Sequence, residues 1–136
     1  PSLGALTINA LTACDEVLIP VDPELFAITG LNDLMDSIEK VRENLNTTVK
    51  IGGILFVKCI ARTNLYKTAR QNITEYFPAV PIFKSVIPLT VKVGEANNAS
   101  MAVAEFEKFN PAAEAYMELA KEVAFNGKNE TTDKIA

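Results

Sequence analysis

The stretch VKIGGILFV, Val49–Val57, decides how the rest of the chain reads. It is continuously apolar and rich in β-branched residues, the pattern of a strand covered on both faces, as in a parallel sheet. Upstream, VLIPV (Val17–Val21) reads as a short buried strand, and downstream IFKSVIP (Ile82–Pro88) reads as a third. Between the strands the apolar period changes to that of helices. Leu3–Ala13 spaces Leu3, Leu6, Ile8, Ala10 and Leu11 helically, and Ala27–Leu45 sets Ile28, Leu31, Leu34, Met35, Ile38, Val41 and Leu45 on one face. Asp22-Pro23-Glu24 supplies an N-cap and a first-turn proline for that second helix. Asn44–Thr48 is a turn, and a helix over Asn64–Tyr76 is closed by Pro78 and Pro81. A short helix is expected over Lys92–Asn98, an irregular stretch over 101–110, and a helix over Pro111–Phe125.

Helix and strand therefore alternate along the chain, which predicts a doubly wound α/β fold around a parallel sheet. Three strands make a thin sheet, so further strands are expected upstream. Pro1-Ser2 stands directly before a helical pattern without an initiator Met, which reads as a segment of something longer. Residues 1–125 are expected to form the folded part and 126–136 a polar, frayed tail.

Composition narrows the chemistry. The chain has 136 residues, 49% of them hydrophobic and 22% charged, which is ordinary for one globular domain. Its net charge of −4 argues against a nucleic-acid surface extending all over the molecule, though not against a local basic patch. There is no histidine, which removes the usual general base, and two separated cysteines give no zinc pattern. No apolar run approaches the ~20 residues of a membrane-spanning helix.

Four segments carry a resemblance: Pro1–Leu31 (PSLGALTINALTACDEVLIPV-PE-FA--GL), Ile51–Leu65 (IGGIL----ARTNL), Phe83–Ala96 (F-KSVIP--V-V-EA) and Ala113–Val123 (AEAYMELAKEV). Together they are similar to the second half of ParA/Soj-type partition ATPases, deviant P-loop proteins related to MinD. The resemblance implies a partial doubly wound parallel sheet, P-loop NTPase-like but lacking the N-terminal P-loop strands. In such a protein Pro1 and Ser2 are the remnant of a switch segment whose magnesium-site Asp precedes them. The phosphate loop would lie further upstream; no GK[ST] occurs in this sequence, and Gly52-Gly53 sits inside a strand. The fragment itself is thus expected neither to hydrolyse ATP nor to hold a cofactor, with ATP and Mg bound by the intact protein.

By matching position, Val57, Lys58, Ile87, Pro88 and Leu89 are expected on the adenine side of the nucleotide site. Arg62 matches an Arg of non-specific DNA binding, a contact that neutralises phosphate and weakens with salt. The chain departs from the family at other basic positions, with Leu89 and Met101 where relatives carry cations; Lys58, Lys67, Arg70, Lys84 and Lys92 remain as local positive charge. Glu95 matches a family acid beside the nucleotide, and its alternative reading is an acid favourable near a helix start. Asp22 stands where many relatives carry Gln, and N-capping accounts for it equally well. For the intact protein the resemblance implies a nucleotide-dependent homodimer, non-specific DNA, a ParB-like partner, no membrane, and a cytoplasmic, nucleoid-associated location. Other readings are a non-enzymatic interaction module and a MinD-like positioning ATPase. The second needs a basic amphipathic C-terminal helix, and FNGKNETTDKIA has no apolar face.

Overall fold

In the computed structural model, which describes residues 4–23, 27–60 and 63–133, strand β2 (Lys50–Cys59) lies at the centre of a three-stranded parallel sheet. Strand β1 (Glu16–Val21) pairs with one of its edges and strand β3 (Ile82–Pro88) with the other. Helices α1 (Ala5–Ala13), α2 (Ala27–Asn44) and α3 (Asn64–Tyr76) accompany them, followed by α4 (Val91–Asn98), the single turn α5 (Val103–Phe106) and α6 (Pro111–Asp133).

The continuous apolar run of β2 has the cause its sequence predicts. Ile54 and Phe56 join Ile19 and Val21 of β1 in a core closed by Leu11, by Leu31, Ile38 and Val41 of α2, and by Ile73 of α3. The intervening Leu55 and Val57 pack with Phe83 and Ile87 of β3 beneath Ala115 and Leu119 of α6. Successive side chains point to opposite faces, so β2 is buried from both sides. Phe56 is fully buried and meets the Tyr66 ring edge-on, with centroids 5.2 Å apart.

The glycine pair inside β2 is a bulge. Val17 pairs with Ile51 and Leu18 with Gly53, leaving Gly52 as the extra residue. Gly53 has φ +152, and a Cβ there would stand 2.8 Å from Cε2 of Phe83. Strand β3 is irregular too, because a two-residue step along β2 (Ile54 to Phe56) is matched by a four-residue step along β3 (Ile82 to Val86). The Glu122 carboxylate of α6 answers that irregularity. It accepts from the N–H of Lys84 (2.8 Å), the N–H of Ser85 (3.0 Å) and the Ser85 hydroxyl (2.8 Å).

Burial by itself would raise the pKa of Glu122. The Lys84 N–H, followed by the Ser85 hydroxyl and N–H, outweighs burial and holds the carboxyl below its ordinary value. A depressed folded value means that the stabilisation is complete above the unfolded pKa, about 4.3, and is lost as pH falls through the lower folded one. Glu122→Gln keeps one acceptor and turns an amide donor toward donors. It is expected to cost about 1–2 kcal/mol at pH 7, with the deficit relative to the parent shrinking below about pH 4 in urea unfolding.

Most element boundaries shift by one or two residues from the sequence reading, and three differences have a physical cause. Helix α2 ends at Asn44, where the Asn46 N–H bonds back to the Val41 carbonyl, so Leu45 lies outside it and is exposed. Stretch 101–110 contains the turn α5, too short for a period to announce. Helix α6 starts at an Asn110 cap whose side chain accepts from the Ala112 N–H at 2.9 Å. Its backbone remains helical to Asp133, past the expected Phe125, because nothing after Pro111 stops it; Gly127 weakens a helix without breaking it. Helix α1 forms, but Leu11 is its buried residue, while Leu6 and Ile8 stay exposed.

Candidate functional site

Parallel sheets place their ligands beyond the carboxyl ends of the strands. At that end of β2 and β3 lies a concavity of about 380 Å³ lined by Val57, Lys58, Ile87, Pro88, Leu89, Thr90, Val93, Gly94, Asn97 and Tyr116. All five positions expected on the adenine side therefore surround one space. Larger concavities lie elsewhere among the described residues: one is lined by Ala104, Lys108 and Met117 against α6, and two border the sheet. One sits between β3 and α6 around Glu122, whose oxygens are already spent on β3. The other opens at the amino-terminal ends of β1 and β2, lined by Asp15, Glu16, Val49 and Lys50, away from the ligand end.

The walls at the carboxyl end are built by local chain geometry. Lys58 adopts a left-handed conformation, φ 52, sparsely populated for a residue with a side chain. Its ammonium reaches the end of β1, 3.4 Å from Asp22. Residues 24–26, onto which the expected N-cap role of Asp22 would fall, lie outside the described residues. After β3, Leu89 donates its N–H to the Cys59 carbonyl, tying the chain back to β2 at the pocket floor. Thr90 then caps α4, its hydroxyl oxygen accepting from the Lys92 N–H at 3.2 Å. Glu95 therefore sits inside α4 rather than at its start, where Lys92 binds it at 2.8 Å, and it does not line the concavity. Cys59 lies just beneath. Burial, reinforced by the Asp22 charge, pushes its thiol up to about 11, so it stays protonated near neutral pH.

Thr90, Val93, Gly94, Asn97 and Tyr116 complete the wall without having been foreseen. The first four come from the turn and helix after β3, so their proximity follows once β3 ends at Pro88. Tyr116 arrives from α6, and no local pattern announces it. Pro1, Ser2 and Arg62 lie outside the described residues. Of the remaining basic positions, Lys58 is paired with Asp22, Lys92 with Glu95, and Arg70 donates to the Tyr66 hydroxyl at 3.3 Å, while Lys67 and Lys84 are exposed. Among the described residues no group of three or more Cys, Asp or Glu converges to hold a metal ion. No described helix is long and apolar enough to cross a membrane.

Comparison with known proteins agrees with this architecture. Residues 1–51 match a family model described as an AAA domain. The sporulation initiation inhibitor protein Soj of Bacillus subtilis is 42% identical over 93% of this chain and 50% of its own length. The chromosome-partitioning ATPase Soj of Treponema pallidum is 37% identical over 90% of the chain and 48% of its own. The chromosome partitioning protein ParA of Caulobacter vibrioides is 36% identical over 90% and 46%. Among solved structures, cobyrinic acid a,c-diamide synthase of Mycobacterium smegmatis, with bound ADP and magnesium, superposes with a TM-score of 0.75. That match is 26% identical and covers 94% of this chain and 45% of the synthase. The chain spans about half the length of the curated relatives it matches. By sequence and by its P-loop NTPase-like α/β fold, it is a homologue of the Soj/ParA chromosome-partitioning ATPases.

Proposed function

We propose that this chain is part of a ParA-like ATPase for plasmid or chromosome partitioning and supplies the base side of its nucleotide site. The observation that carries this reading is the convergence of Val57, Lys58, Ile87, Pro88 and Leu89 on one concavity at the carboxyl ends of parallel strands. Its size falls within the range of small-molecule sites, and its apolar walls suit the faces of a flat heterocycle. ATP and magnesium bind in the intact protein. The phosphates need a loop of N–H groups and a Lys at a helix N-terminus, and no GK[ST] lies within these 136 residues. ATP hydrolysis is therefore not assigned to this chain on its own.

In the intact protein, nucleotide drives homodimerisation and non-specific DNA binding, and a ParB-like partner ends the cycle; the location is the nucleoid within the cytoplasm. Arg62 contributes to the DNA contact. Retardation of arbitrary DNA should weaken with salt, and Arg62→Ala should reduce the log–log salt slope by about 1. An unchanged slope removes Arg62 from the interface.

The nucleotide reading is tested at Leu89, exposed enough to tolerate a charge without disturbing the core. Leu89→Glu puts a carboxylate on the pocket wall and is expected to weaken ATP binding by the intact protein about tenfold, with an unchanged melting midpoint. Equal affinity for ATP would overturn the assignment of this pocket.

A further inference from the structure

Helices α5 and α6 border a cleft of about 480 Å³ lined by Ala104, Lys108, Ala113, Glu114, Met117 and Glu118. It shares no lining residue with the concavity at the strand ends. Ala104 and Ala113 are small, which leaves room between the helices, and the exposed Met117 offers a flexible apolar side chain.

Phe109 stands on the turn that joins the two helices, 84% exposed, with Phe106 also exposed just before it. That turn is fixed. The Asn110 N–H donates to the Glu107 carbonyl at 3.1 Å, and the buried Asn110 side chain caps α6. A rigid turn that presents an aromatic ring needs little ordering when a partner covers it.

Charge defines that partner. Residues 101–118 carry Glu105, Glu107, Glu114 and Glu118 against Lys108 alone, a net −3 within a chain of net −4. Glu118 is bound by Lys121 at 2.6 Å, and Glu107 lies 4.0 Å from Lys92. Glu105 and Glu114 have no ion-pair partner among the described residues. Glu114 and Glu118 lie one turn apart on α6 and rim the cleft. These carboxylates repel phosphate backbones and anionic lipid headgroups, so the occupant is a protein. An isologous contact with a second copy would press the acidic face against itself.

We infer that the α5–α6 cleft, with Phe109 beside it, is a docking surface for a cationic amphipathic helix of a partner protein. The helix lays its apolar stripe against Met117 and Phe109, as helices do in grooves between helices. Its Lys or Arg residues meet Glu105, Glu114 and Glu118, which sets its orientation and speeds its arrival. The surface is independent of the nucleotide reading.

The experiment is 1H–15N NMR titration of the full 136-residue chain with a synthetic amphipathic Leu/Lys peptide, about 18 residues long, and with its Leu/Glu counterpart. The Leu/Lys peptide is expected to shift the amides of residues 103–118 and to bind about tenfold more tightly than the Leu/Glu peptide. Phe109→Ala should weaken it about tenfold with an unchanged melting midpoint, and Glu114→Lys should weaken it and flatten its salt dependence. Shifts centred on another face, equal affinity of the two peptides, full affinity in Phe109→Ala, or no binding at all would each overturn the proposal. Concentration-dependent shifts of the same amides without peptide would put a second copy there and overturn it as well.

Discussion

Gly53→Ala is expected to destabilise the chain by about 3–5 kcal/mol, whereas Gly52→Ala next to it costs less than about 1 kcal/mol. The difference comes from what each new methyl would meet. At Gly53 the backbone has φ +152, where a residue with a Cβ is strained. The added carbon would also stand 2.8 Å from the Phe83 ring and 3.1 Å from the Pro81 carbonyl oxygen. Phe83 is buried against Leu55 and Ile87, and the Pro81 carbonyl accepts from the Ile54 N–H, so neither neighbour gives way freely. At Gly52 the collision is with the Glu16 carboxyl group, the far end of an exposed, flexible side chain that swings clear. Urea unfolding of the two variants measures the contrast. Equal, small losses would contradict the bulge geometry of β2.

Phe56→Ala is the second large effect, expected at about 3–5 kcal/mol. Its side chain is fully buried between β1, α2 and α3, and truncation also removes the edge-on contact with Tyr66. Against a typical domain stability of about 5–15 kcal/mol, the variant is expected to melt far below its parent. Phe109→Ala is the matching control, since Phe109 is 84% exposed and its removal should change stability by no more than about 0.5 kcal/mol. A mild Phe56→Ala would mean that β2 is not covered on the face toward α2 and α3.

The two stretches differ in how plainly the sequence announces them. Strand β2 was legible because burial on both faces demands an unbroken apolar run, and Ile54–Val57 meets that demand on alternate sides. The bulge within it was not, because a glycine pair has the same composition whether it bends a strand or cradles a phosphate. Helix α1 shows the opposite limit. Leu3, Leu6, Ile8 and Leu11 have helical spacing and the helix forms, but spacing alone cannot say which of them meets a neighbour, and Leu6 remains exposed.

The pocket shows the same division. Val57, Lys58, Ile87, Pro88 and Leu89 were expected together by resemblance, while strand endings explain why they meet: both strands run the same way, so their last residues share one end of the sheet. Asn97 and Tyr116 were missed because their contribution depends on how α4 and α6 return to that end. Glu122 was missed for a related reason. Nothing in the sequence of α6 marks one glutamate as the partner of an irregular strand nearly forty residues earlier. Its role follows from unpaired N–H groups, which must be satisfied somewhere.

The central claim is that these 136 residues provide the base side of a nucleotide site and not its phosphate side. The direct test is to compare dissociation constants of adenosine and ATP–Mg for this chain under identical conditions. The account predicts millimolar values for both, with ATP–Mg binding no more than a few-fold tighter than adenosine, because no loop here rewards the phosphates. Submicromolar binding of ATP–Mg, far tighter than that of adenosine, would contradict it.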